Sequence, residues 1–172
     1  MGIRDREFNS LLLYAKSLGI RVTVHNKKGS DCLAFWLTDG SAINIYKNTI
    51  GNKTNLVLTL LHELGHHLDY VHTKKRNVSN RLIDAWGREN TKEKKTSLKT
   101  RKLIYNDEVA GTQWWDAIIK EVQIKIPKWR IDLQKEKDLW MYEVFVKTGD
   151  YPDNKQCKEK SKELKQKWKG KK

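Results

Sequence analysis

Proline and cysteine are nearly missing from this chain, and long apolar runs are missing altogether. Two prolines in 172 residues, Pro127 and Pro152, argue against a long Pro-rich or disordered segment. The two cysteines, Cys32 and Cys157, stand far apart, which excludes a disulfide framework and a four-thiolate zinc ribbon. Both are expected as free thiols in a reducing cytoplasm. No apolar stretch approaches the roughly 18 residues of a membrane span. The opening "MGIRDREFNSLLLYAKSLGI" lacks the apolar core of a signal peptide, and Arg6 stands where a myristoylation pattern needs Ser or Thr. The expectation is a cytoplasmic protein with no membrane partner. Histidine is scarce as well: there are five, and none follows His72.

Positive charge is what the chain has in excess. The formal net charge is +14, and it is concentrated. Residues 73–105 carry eleven Lys/Arg against three acids, and residues 150–172 carry nine Lys against four. The rest of the chain is close to neutral. Charge placed this way suits a polyanionic partner such as nucleic acid, and equally a solvated loop and a solubilising tail. Leu164 and Trp168 are the main apolar anchors in the last stretch, so it reads as mobile until bound. Trp168 is expected either to stack on an unpaired base or to fold back on the domain. No helix-turn-helix, zinc finger or other nucleic-acid motif is visible.

Periodicity places the elements. Ile3, Phe8, Leu11, Leu12, Tyr14, Ala15 and Leu18 recur at helical spacing, with Gly19 as a stop. "GIRVTVHN", "CLAFWLT" and "SAINIYKN" read as three strands, with "KKGSD" a turn and Asp39-Gly40 a hairpin signal. "NKTNLVLTLLHELGHHLDYVH" reads as a helix capped by Asn52 or Thr54 and running to about His72. Residues 73–105 read as a basic insertion with some helical character around Val78 to Trp86. "YNDEVAGTQWWDAIIKEV" predicts a second strong helix, with Val109, Trp114 or Trp115, Ile118 and Val122 on one face. A further helix is expected over about 130–149. The expected class is α+β: an N-terminal helix, a small antiparallel sheet, two site-bearing helices, a C-terminal helix and a basic tail. The expected organisation is one domain over 1–149 with the insertion at about 73–105, then a lysine-rich tail over 150–172.

Four of the five histidines lie in "LHELGHHLDYVH". Residues four apart share a helix face, so the imidazoles of His62 and His66 can meet one metal ion. Glu63 is one step round the helix, placed to act on water without being a ligand. This is H-E-x-x-H, in which the glutamate is the general base of a metal hydrolase. Gly65 removes a side chain beside the metal and admits another backbone. Two neighbouring buried imidazoles without a partner would be costly. A catalytic zinc takes three protein ligands and an open place. His67 and His72 are rotated away or too distant, and His25 sits near a strand end. Glu108 is the best third ligand, with Asp107 competing. An acid there could also be no more than a favourable charge in a helix's first turn.

H-E-L-G-H-H at 62–67, after a helix and a small sheet, resembles the ImmA/IrrE metallopeptidases. The resemblance spans roughly residues 3 to 125. That family's second motif reads approximately E-x-x-A-[ND]-x-F-A followed by paired aliphatics. Here Glu108 takes the ligand glutamate, Gly111 the small residue, Thr112 the polar residue, Trp114 the aromatic and Ile118-Ile119 the aliphatic pair. The chain departs at Thr112, where Asn or Asp is usual, and at Trp115, where a small residue is usual. The resemblance implies Zn2+ held by His62, His66 and Glu108, Glu63 as catalytic base, and a regulatory protein as substrate, such as a repressor or other DNA-associated target of a phage or mobile element. Tyr46, Tyr70 and Tyr105 are candidates to steady an oxyanion. A SprT-like protease would also join H-E-x-x-H to DNA, but it needs a later histidine. The competing reading is a nucleic-acid-binding or regulatory module whose metal site is structural or vestigial.

Overall fold

The computed structural model describes residues 3–26, 34–36, 41–46, 50, 52–73 and 96–169. Helix α1 (Ile3–Ser17) forms as its apolar spacing predicts, with Leu11 and Ala15 fully buried. Gly19 ends it at φ +75°. The Gly19 amide donates to the Lys16 carbonyl at 3.0 Å and the Ile20 amide to the Ala15 carbonyl at 2.9 Å. This pair of bonds needs one left-handed residue, which glycine supplies without Cβ strain.

Strands β1 (Arg21–His25), β2 (Ala34–Trp36) and β3 (Ala42–Tyr46) form one sheet in the order β1-β3-β2. β2 pairs antiparallel with β3, and β1 pairs parallel with it, Val22 opposite Ile43 and Val24 opposite Ile45. The expected antiparallel sheet is therefore corrected to a mixed one. The chain reverses between β1 and β2 and again between β2 and β3. Two reversals leave β3 parallel to β1, and β3, with Ala42, Ile43 and Ile45 buried, takes the centre. The Asp39-Gly40 and "KKGSD" turns and Cys32 lie outside the described residues.

Helix α2 (Lys53–Thr73) carries the histidines. Asn52 caps it, accepting the Asn55 amide at 2.9 Å, a bond worth about 1 kcal/mol. Val57, Leu60, Leu61 and Leu64 are wholly buried, and truncating any one of the leucines to alanine should cost about 2–5 kcal/mol.

The single helix expected over 105–122 is two. Helix α3 (Leu98–Gln113) begins earlier, inside the stretch read as insertion, with the Ser97 hydroxyl accepting the Thr100 amide at 3.2 Å. At Trp114 the amide turns back to the Gly111 carbonyl at 3.3 Å, and helix α4 (Trp115–Val122) follows, burying Trp115 and Ile118. Helix α5 (Lys128–Thr148) follows Pro127 and ends at Gly149, φ +87°. The lysine-rich segment expected as a mobile tail is helix α6 (Asn154–Lys169). It opens on a reciprocal cap: Asp153 accepts the Gln156 amide at 2.8 Å, and the Gln156 side chain accepts the Asp153 amide at 2.9 Å. The rest of the basic stretch, residues 74–95, including Val78 to Trp86 where some helical character is expected, lies outside the described residues.

The chain forms two compact units, Met1–Lys75 with Ala110–Lys125, and Arg76–Val109 with Ile126–Lys172. In the first, α1, α2 and α4 pack with the sheet around Ile43, Ile45, Leu60, Leu64, Trp115 and Ile118. In the second, Ile104 of α3 and Phe145 of α5 are buried together with Leu103 and Tyr142 against them, and α6 packs on α5. The boundary runs through α3, between Val109 and Ala110. No helix among the described residues is long and apolar enough to cross a membrane.

Candidate metal centre

Two glycines build the site. A methyl group on Gly65 of α2 would overlap the Gly111 carbonyl oxygen of α3 and approach Trp115 Cδ1 at 3.3 Å. A methyl group on Gly111 would lie 2.9–3.2 Å from His66 Nδ1, Cε1 and Cγ. The two backbones thus touch where a Cβ on either would keep them apart. The gap expected at Gly65 is filled by Gly111, and the Gly111 backbone lies against the His66 ring.

His62 and His66 meet as their spacing predicts. Their Nε2 atoms are 3.1 Å apart and their rings stand edge to face, 82° between planes. Either one ring donates N–H to the other, or both lone pairs address one cation. A carboxylate favours the second. Glu108, buried at 5% exposure, offers an oxygen such that the three ligand atoms all lie within 4.8 Å of one another. Tetrahedral zinc with bonds near 2.0–2.1 Å needs ligand atoms about 3.3 Å apart. The donor set, two imidazoles and a carboxylate, is one zinc accepts. Among the described residues this is the grouping of His, Cys, Asp and Glu able to hold a metal. Glu108 reaches it because α3 runs unbroken from Glu108 to Gly111. It lies in the third turn of α3, so it is not an acid of a helix's first turn. Asp107 is not in the cluster.

Glu63 is buried but outside the ligand set, beside His62 on α2. Trp115 lies edge-on to His62 with centroids 5.9 Å apart, so its indole packs against one ring of the candidate cluster. Thr112 is buried one residue beyond Gly111.

The remaining histidines have other tasks. His25 pairs with Asn44 at 3.0 Å and stacks on Tyr46. His72 stacks on Trp114, whose indole donates to Asp69 at 3.5 Å. His67 is buried edge-on to Trp36, and burial holds its imidazole below the ordinary range, in the neutral form.

Sequence reasoning missed Tyr142 of α5. Its buried hydroxyl is held well above its ordinary range, first by burial and then by the charge of Glu108, to whose carboxylate it donates. Such a bond orients a ligating carboxylate. The tyrosines singled out from sequence are engaged elsewhere: Tyr46 on His25, Tyr70 against Trp36, and Tyr105 hydrogen-bonded to Glu143. No signal in the local sequence marked Tyr142, because its partner is 34 residues away. Compared with family models, curated proteins and solved structures, the chain finds no match in any of the three.

Proposed function

We propose that the chain is a zinc metallopeptidase, of the kind its H-E-x-x-H helix and second motif resemble. The observation that carries this reading is the convergence of His62, His66 and Glu108 on one point, with Glu63 buried beside them and outside the ligand set. A zinc ion held there would supply a Lewis acid and bring a water pKa to near 7. His62 and His66 would hold the ion through imidazole nitrogens, which ligate in the deprotonated, neutral form. Tyr142 fixes the Glu108 carboxylate. Glu63 accepts the proton of the attacking water and returns it to the leaving amine. The substrate class is a protein, and the resemblance points to a regulatory one such as a repressor.

The test is hydrolysis of a quenched-fluorescence random peptide library by zinc-loaded wild type and Glu63→Gln. We expect Glu63→Gln to keep zinc and fold and to lose turnover by at least about 100-fold. Equal turnover in the two proteins, or loss of zinc from the variant, would contradict the role given to Glu63.

A further inference from the structure

Helix α6 sorts its lysines into two kinds. Lys160 pairs with Glu163 at 2.7 Å and lies over the Trp140 ring of α5 at 6.0 Å. Lys167 pairs with Glu136 of α5 and lies over Trp168 at 5.8 Å. These two, with Leu164 buried and the Trp168 indole donating to Glu136 at 3.1 Å, fasten α6 to α5. Lys155, Lys158, Lys162 and Lys165 are exposed and have no acidic partner among the described residues. Their spacing of three, four and three places them within an arc of about 80° and along about 15 Å of helix, in steps of about 4.5–6 Å.

From this we infer that the Lys155-Lys158-Lys162-Lys165 face of α6 is a docking surface for the phosphate backbone of duplex nucleic acid. The inference is independent of the metallopeptidase reading. A fixed row of cations at this pitch suits a polymer whose charges recur at a few ångströms, about one per 3.4 Å of axis along each strand. Membrane insertion is disfavoured. The large hydrophobic residues exposed among the described residues (Leu13, Val71, Leu98 and Tyr151) are none of them on α6, whereas an interfacial helix needs an apolar face. Base stacking by Trp168 is disfavoured as well, since its indole is tied to Glu136. Lysines are point charges without the planar fork that reads base edges, so binding is independent of sequence.

The experiment measures binding of the full chain to a mixed-sequence 20-base-pair DNA duplex over a range of salt. It compares wild type, K158Q/K162Q, and K16Q/K120Q, which removes the same charge from exposed lysines of the other unit. Each phosphate contact contributes about −0.9 to the slope of log K against log salt. We expect K158Q/K162Q to flatten that slope by about 1.8 and K16Q/K120Q to leave it unchanged. Glu159→Gln, which removes an exposed acid beside the row, should tighten binding. Equal slopes in all variants, no DNA binding at low salt, or binding to phosphatidylserine vesicles in place of DNA would overturn the proposal.

Discussion

At the scale of single residues, the candidate metal centre depends on what holds its three side chains in place. A free carboxylate at Glu108 would sample several rotamers, and each one lost on ligation costs entropy. The Tyr142 hydroxyl donates to it from a buried position, so part of that ordering is complete before a metal arrives. Losing an outer partner of this kind typically costs 10–100-fold in metal affinity. Tyr142→Phe should therefore bind zinc about 10–100-fold more weakly with α3 and α5 intact, as competition with a chromophoric chelator would read. Unchanged affinity would show that Tyr142 only fills space. Gly111 makes the same point through shape, since a methyl group there would press on the His66 ring. The sequence shows Gly65 and Gly111 as glycines within helices, but that they face each other is a fact of the helix crossing.

At the scale of elements, α6 shows how a polar segment becomes a folded one. Read alone, it offers Leu164 and Trp168 against a run of lysines, and disorder is the natural expectation. The helix exists because α5 supplies Glu136 and Trp140 as partners, and such partners are invisible to a local window. Burial alone would raise the Glu136 carboxyl, but the hydrogen bonds from Lys167 and Trp168 win and hold it below its ordinary value of 4.5. A depressed carboxyl stabilises the folded form above its unfolded pKa, and that contribution disappears as pH falls through the folded value. Amide exchange in α6 should accordingly speed up, relative to α5, as pH drops below about 4.5 once the intrinsic pH dependence is removed. Glu136→Gln should show a weaker dock with no such pH step. A step that persists in Glu136→Gln would assign it to another group. The same limit of local reading explains the early start of α3. Ile104 is buried against Phe145, and Arg101 donates to the Phe145 and Val146 carbonyls at 3.1 and 2.7 Å, both contacts with a helix some forty residues on. The sheet was misread for a related reason, because strand alternation shows which residues pair but not in which direction β1 meets β3.

At the scale of the whole molecule, chemistry and charge occupy different elements. The residues of the candidate metal centre come from α2 and α3, and the unpaired lysine row is on α6. The His62–His66 half of the candidate triad was legible in the sequence because residues four apart share a helix face, a local geometry fixed by 3.6 residues per turn once α2 is a helix. Glu108 was legible as an acid on the next helix with an apolar face, and it lies with His62 and His66. Tyr142 was not, since nothing near it in the chain requires a tyrosine. The account stands or falls on the metal. Its most direct test is zinc content per chain after exhaustive dialysis against trace zinc, for wild type, His62→Ala, Glu108→Gln and Asp107→Asn. We predict one zinc per chain in wild type and Asp107→Asn, and loss of tight zinc in His62→Ala and Glu108→Gln. Wild type without zinc, or Glu108→Gln retaining it while Asp107→Asn loses it, would contradict the centre described here.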